Sequence, residues 1–169
     1  MKHLYLIRHA KSDWSNSEWS DFERPLNARG LNNAPRMGDF LKEQSICPDI
    51  IYSSDAKRAL TTAQIIAEKI GYPVDKIVQK HSIYESGIHF YLELIGGIDN
   101  KNNSAFIVAH NPTLTVLTDY FTDEGISHMP TCGVVHIEFD CEFWDYVTRG
   151  GGRLRDFYTP KKLWGDSDD

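Results

Sequence analysis

An α/β three-layer sandwich, with a mostly parallel central sheet flanked by helices, is the fold class predicted for these 169 residues, on three observations. Short apolar runs recur at Leu4–Ile7, Asp49–Tyr52 and Ala105–Val108, the pattern of strands buried on both faces. Between them lie segments of helical period, the length that a crossover between parallel strands requires. The chain length corresponds to about one domain of 150 residues, enough to close a core without a disulfide or metal staple. Residues 1–169 are accordingly expected to form a single domain, with a polar tail after about residue 162.

Taken in order, Leu4–Ile7 reads as a buried strand whose carboxyl end delivers Arg8 and His9. Lys11–Asn27 is polar, aperiodic and studded with Trp14, Trp19 and Phe22, which predicts a loop folded over something. Leu31, Ala34, Phe40 and Leu41 recur at helical spacing, with Pro35 marking either a bend or the start of that helix. After the Asp49–Tyr52 strand, Ser54 is positioned to cap a helix carrying Ala59, Ala63, Ile66 and Ile70 on one face, stopped by Gly71 and Pro73. A strand at Ile77–Gln79 and a helix near Phe90–Ile95 follow, and polar Asp99–Asn103 leads into the Ala105–Val108 strand. Asn111 and Pro112 then read as cap and first-turn residue of a helix through Phe121. Val134–Phe139 and Trp144–Thr148 are predicted as late strands, with Phe143, Trp144 and Tyr146 as edge-strand packing, ahead of Gly150–Gly152, Arg153–Tyr158 and an acidic end.

Eighteen Lys and Arg against twenty-four Asp and Glu give a net charge of −6, which argues against nucleic-acid or anionic-membrane partners while leaving room for a small positive pocket. An apolar fraction of 41% excludes disorder for most of the chain. No signal-peptide pattern or uncharged apolar run long enough for a membrane span is present, so a cytoplasmic location is expected. Cys47, Cys132 and Cys141 are odd in number and widely spaced, the pattern of buried or idle thiols rather than a disulfide framework or zinc site. Neither a metal nor another cofactor is expected.

Open α/β sheets place their sites at the carboxyl ends of strands, and three predicted strand ends carry Arg8-His9, Ser53 to Arg58, and His110-Asn111. The planar arginine fork offers a phosphate two parallel charge-assisted hydrogen bonds, while a neutral imidazole can attack phosphorus. Two arginines and two histidines together are suited to metal-free phosphoryl transfer.

The run Leu6-Ile7-Arg8-His9-Ala10-Lys11-Ser12 is joined, in order, by Arg24-Pro25-Leu26 with Gly30, Ser53-Ser54, Arg58-Ala59, Thr62-Ala63, Ile83-Tyr84-Glu85 and Val108-Ala109-His110-Asn111-Pro112. In this set the chain resembles the histidine phosphatase superfamily, which includes the cofactor-dependent phosphoglycerate mutases, and within it the small phosphohistidine phosphatase branch. The resemblance implies a phosphoglycerate mutase-like fold. It also implies His9 as the nucleophile that becomes phosphorylated, with Arg8, Arg58 and His110 holding the phosphoryl oxygens and Arg24 at the pocket mouth as a further phosphate-binding group. Glu85 is the nearest match to the family's acid, whereas Asn111 stands where other branches carry an acid directly after the second histidine.

Phosphoramidates, whose leaving nitrogen is readily protonated, need less help from an enzyme acid than alkoxides do, so the expected partner is a phosphohistidine-bearing protein or a related small phosphorylated molecule. The short spans between motifs leave little room for inserted cap helices, and a wide, shallow pocket is expected. The competing readings are a phosphatase or mutase acting on small monoesters such as sugar phosphates, and a non-catalytic phospho-ligand interaction module.

Overall fold

The computed structural model describes residues 1–166. Its elements are β1 (Lys2–Arg8), α1 (Ala28–Glu43), β2 (Ile50–Ser53), α2 (Lys57–Ile70), β3 (Val78–Gln79), α3 (His81–Glu85), α4 (Ile88–Gly96), β4 (Ser104–Ala109), α5 (Thr113–Phe121), β5 (Val134–Phe139), β6 (Gly152–Tyr158) and α6 (Pro160–Trp164), with single 3-10 turns at Asp21–Glu23, Val74–Lys76 and Trp144–Tyr146. The strands form one sheet in the order β3-β2-β4-β1-β5-β6. The β3-β2, β2-β4 and β4-β1 pairs are parallel, and β5 and β6 extend the other edge antiparallel.

Alternation along β1 explains the layers, because successive strand side chains point to opposite faces. Leu4 and Leu6 enter a core shared with Tyr91 and Ile95 of α4 and Leu114, Leu117 and Phe121 of α5. Tyr5 and Ile7 enter the opposite core, with Ala34, Met37 and Leu41 of α1 and Ala59, Ala63 and Ile66 of α2. In register, Leu6 lies between Ile107 of β4 and Val135 of β5, so the central strands are apolar on both faces. The helix following β4 therefore lies on the opposite face from those following β1 and β2. Chain paths diverge around the carboxyl end of β4, leaving a crevice of the kind in which open α/β sheets bind ligands.

Several boundaries differ from the sequence-based expectation. Helix α1 runs unbroken through Pro35 and starts at Ala28, with the Asn27 side chain accepting from Gly30 N. Ser54 does not cap α2 directly; Ala56 holds that position, and Ser54 Oγ accepts from Ala56 N at 3.1 Å in the turn before it. Pro112 is the residue before α5 rather than its first member, and Asn111 Oδ1 accepts from Thr115 N at 3.1 Å.

The predicted strand Trp144–Thr148 is instead a 3-10 turn, and the strand pairing with β5 is β6. Its donors explain the difference: Trp144 N bonds Asn100 Oδ1 and Trp144 Nε1 bonds Asn102 O, both at 2.7 Å, tying the segment to the polar stretch before β4 rather than to a sheet edge. Trp144 is fully buried, whereas Phe143 and Tyr146 are exposed. The tryptophan covers buried Lys2, whose ammonium donates to Asn100 O, Asn102 O and Asn103 Oδ1 at 2.8–3.0 Å.

The polar tail expected after about 162 starts later, because Leu163 and Trp164 pack on the α1–α2 face and Arg36 lies over the Trp164 ring at 4.1 Å. The remainder of that expected tail, residues 167–169, lies outside the described residues.

Replacing Trp144 by Ala removes a fully buried ring and its Nε1–H bond to Asn102 O, while the backbone N–H remains for Asn100 Oδ1. Urea denaturation is expected to show a loss of about 3–5 kcal/mol. Tyr146→Ala, at an exposed ring, is expected to change stability by no more than about 0.5 kcal/mol. Equal losses at the two positions would mean that the turn is not built on Trp144.

Candidate active site

Three neighbouring strand ends converge on the crevice. At the end of β1, His9 N donates to Ala109 O of β4 at 3.1 Å, and His9 O accepts from Cys132 N at 3.0 Å, so its backbone is held from both sides. Its side chain is held as firmly: Nδ1 lies 2.7 Å from Ala10 O. A carbonyl oxygen only accepts, so Nδ1 carries the proton and the neutral ring has its lone pair on Nε2. The Ala10 peptide is fixed in turn, its N–H donating to Thr62 Oγ1, which donates to Arg58 O within α2. The helix that supplies Arg58 thus also aligns the carbonyl that selects the His9 tautomer.

His110 follows β4, its ring centroid 5.2 Å from that of His9. Its Nε2 lies 2.8 Å from Ser54 Oγ. Ser54 Oγ accepts from Ala56 N and has its own hydrogen to donate to Nε2, the arrangement that places the His110 proton on Nδ1. That Nδ1 and Arg58 Nε are buried without a hydrogen-bond partner among the described residues. Two orphaned donors in one crevice are what an anionic ligand satisfies.

Burial drives the titration of both imidazoles. His9 is held well below the ordinary histidine value by burial first, against the opposing Ala10 hydrogen bond, with His110, Arg58 and Arg8 adding to the depression. His110 is pushed down to about 3, again by burial first and then by Arg58. Both rings are therefore neutral at pH 7 beside fixed guanidinium charge. Arg8 extends from β1, with Nη1 donating to Met129 O at 3.0 Å.

The loop between β1 and α1 closes at its neck. Asn27 N bonds Lys11 O and Asp13 N bonds Pro25 O, while Gly30 sits so near that a Cβ there would lie 2.2 Å from Lys11 O. The closed loop presents Asp21 and Arg24 to the crevice. Arg24 is 7% exposed, donates from Nη1 to Ser12 Oγ, and lies 3.5 Å from the centroid of the exposed Trp14 ring.

Asp21 was not singled out from the sequence, yet it meets more of the site than any expected loop residue. Its Oδ1 accepts from Arg24 Nη2 at 2.9 Å, and its Oδ2 accepts from Arg58 Nη2 at 3.0 Å and from Tyr84 Oη at 2.8 Å. Partial burial alone would raise its pKa, but the Tyr84 and Arg24 hydrogen bonds and the Arg58 charge outweigh this and hold the carboxyl well below the usual range. The only sequence signal was an acidic residue three positions before Arg24.

Glu85 is the expected residue that the structure does not bring into this group. Its carboxylate is exposed and lies 3.4 Å from His81 Nε2, on the outer side of α3. The residue before it turns inward instead, placing the Tyr84 ring 5.6 Å from that of His110. Helix α3 is short, and adjacent residues on a helix project about 100° apart, so Tyr84 and Glu85 cannot both face the crevice. Asn111, by its bonds to Thr115, organises the start of α5.

Residues 4–79 match the family model of the histidine phosphatase superfamily (branch 1), a stretch that contains Arg8, His9, Arg24 and Arg58. Across nearly the whole fold, a candidate phosphohistidine phosphatase SixA from Agrobacterium tumefaciens superposes with a TM-score of 0.79 at 28% identity, covering 94% of this chain and 98% of its own. The amino-terminal stretch of the chain thus matches the histidine phosphatase superfamily, and the whole chain shares its fold with a candidate phosphohistidine phosphatase. A protein histidine phosphatase SixA complexed with tungstate shares the fold, with a TM-score of 0.81 over 95% of this chain and 99% of that one at 18% identity. Phosphoglycerate mutase 1 of Saccharomyces cerevisiae is 40% identical over 73 residues, a match that takes in 41% of this chain and only 29% of the yeast protein. The chain's match thus spans under a third of that curated relative's length.

The two buried imidazoles generate a titration prediction. In the ligand-free protein, NMR is expected to show both His9 and His110 titrating well below the ordinary histidine value of about 6.5. His81, raised by its hydrogen bond to Asp55, is expected to titrate above that value. Because unfolded histidines take up protons that folded His9 and His110 refuse, their contribution to stability is full above about pH 6.5 and declines on acidification. Midpoints near 6.5 for both buried rings would contradict this electrostatic picture.

Proposed function

We propose that this chain is a phosphatase working through a phosphohistidine intermediate on His9, and that its substrate is phosphohistidine presented by another protein. The carrying observation is the His9 tautomer: a neutral ring whose Nδ1–H is committed to Ala10 O has Nε2 free to attack phosphorus. Arg8, Arg58 and His110 are the proposed phosphoryl-binding groups, with Arg24 supporting them from the loop.

In the first half-reaction the Nε2 lone pair forms a bond to phosphorus as the bond to the leaving nitrogen breaks. The leaving imidazole keeps that electron pair and departs neutral when its other ring nitrogen already carries a proton, and otherwise takes one from water. In the second, water attacks the phosphoryl group, the phosphorus–Nε2 bond breaks, and neutral His9 and inorganic phosphate result. Negative charge on the transferring oxygens is met throughout by guanidinium groups and the His110 Nδ1–H, already oriented before substrate arrives. This route needs no metal or other cofactor.

Two features support a nitrogen-linked substrate. The carboxylates nearest the crevice are engaged elsewhere, Asp21 ionised between two arginines and Glu85 against His81, and neither supplies the proton that an alkoxide leaving group requires. The solved relative at 28% identity is a candidate phosphohistidine phosphatase that matches this chain from end to end. The phosphoglycerate mutase match favours small monoesters as the second reading, but it is confined to less than half of this chain.

The deciding assay follows phosphate release from a phosphohistidine-bearing carrier protein, a simple phosphoramidate and a panel of phosphate monoesters. Turnover is expected on the nitrogen-linked phosphates, falling to background in His9→Ala and by about 10²–10³-fold in kcat in Arg58→Ala. Preference for a monoester would replace the substrate assignment, and His9-independent turnover would remove the mechanism.

A further inference from the structure

Among the described residues, Asp21 is the acidic side chain that pairs with both Arg24 and Arg58, and nothing in the proposed chemistry consumes it. Two arrangements are open to such a carboxylate. It can occupy the place of the phosphoryl group and give way to substrate, or it can grip the arginines from the side away from substrate and aim them.

The bonding favours the second. Arg58 is attached to Asp21 twice, by Nη2 to the carboxylate and by Nη1 to the backbone carbonyl at 2.6 Å. Swinging the side chain aside would leave Nη1 attached to the backbone, so the guanidinium is docked on the 3-10 turn itself. Each terminal nitrogen of Arg58 thereby gives one of its two N–H groups to Asp21, and the nitrogen left without a protein partner among the described residues is Nε, as is Nδ1 on His110. The carboxylate is also pinned by groups from three separate segments: Arg24 of its own loop, Arg58 of α2 and Tyr84 of α3. A displaceable plug would need freedom that four hydrogen bonds from these partners deny. Tyr84, braced edge-on by Phe22 at 5.1 Å and set against His110, carries the same clamp to the far wall of the site.

We propose that Asp21 is a positioning residue: gripping Arg58 and Arg24 from behind and anchoring Tyr84, it fixes the guanidinium of Arg58 so that Nε–H faces the oxygens of a bound phosphoryl group. The proposal rests on the phosphatase reading above and names a further residue of that same site. A carboxylate beside a phosphate-binding group lowers the local positive charge, so removing it would by charge alone tighten anion binding. The clamp predicts the opposite sign, and that sign is the test.

Tungstate binding is measured by calorimetry on the full chain for wild type, Asp21→Asn, Arg58→Lys and the double variant, with kcat and KM on a simple phosphoramidate alongside and thermal melts to confirm folding. Wild type is expected to bind tungstate, and Asp21→Asn to bind it at least ten-fold more weakly, with a fall in kcat of similar size. In the Arg58→Lys background, where no fork remains to be aimed, Asp21→Asn is expected to cost less than two-fold. Asp21→Glu, retaining the charge, is expected to recover part of the affinity that Asp21→Asn loses. Tungstate binding that is unchanged or tighter in Asp21→Asn overturns the clamp while leaving the phosphatase reading in place. Penalties that multiply fully in the double variant overturn it too, because they mean that Asp21 does not act through Arg58. Absence of tungstate binding by wild type overturns the phosphatase reading, and the clamp with it.

Discussion

Two guanidinium groups are withdrawn from water onto one carboxylate, and the candidate site is organised by what it takes to keep them there. Arg24 and Arg58 are each more than nine-tenths buried. Burial of a charge costs several kcal/mol unless it is paired and hydrogen-bonded. Asp21 answers both guanidiniums, and this explains why the β1–α1 loop is closed so tightly at its neck. The same concentration of positive charge acts on the histidines, adding to the burial that keeps both rings neutral.

The sheet supplies the remaining constraint. The role proposed for His9 requires a ring held to present one nitrogen, and His9 is attached to β4 through its N–H, to the segment before β5 through its carbonyl and to the Ala10 carbonyl through Nδ1. Cys132, which donates to the His9 carbonyl, adopts a positive φ of 59°. A non-glycine residue in that region costs of order 1 kcal/mol, a local strain accepted beside the strand end that carries the nucleophile. Its thiol is fully buried and its pKa is pushed up to about 12 by that burial, so its contribution here is made by the backbone.

Much of this was legible in the sequence because the signals were local and strong. Leu4–Ile7 and Ala105–Val108 are apolar runs with one interpretation in an α/β chain, and strand ends deliver Arg8, His9 and His110 to the same edge whatever the loops do. Arg58 was legible for the same reason, standing in the first turn after β2. The errors arose where one residue's environment lies far away in sequence. Trp144 reads as strand until Asn100 and Asn102 claim its donors, and Glu85 reads as a site acid until the phase of a single helical turn hands the inward position to Tyr84. Asp21 was invisible because its importance lies in three partners, two of which are 37 and 63 residues away.

The division of the site along the chain carries a consequence for folding. The stretch that matches the superfamily model contains His9 and the arginines, while Tyr84, His110 and the Met129 carbonyl that holds Arg8 all come from beyond it. The proposed nucleophile and the arginines are therefore encoded in one contiguous stretch, whereas His110, proposed to hold the same phosphoryl group, is encoded beyond it. The crevice is therefore complete only when β4 has docked between β1 and β2 and brought His110 beside His9.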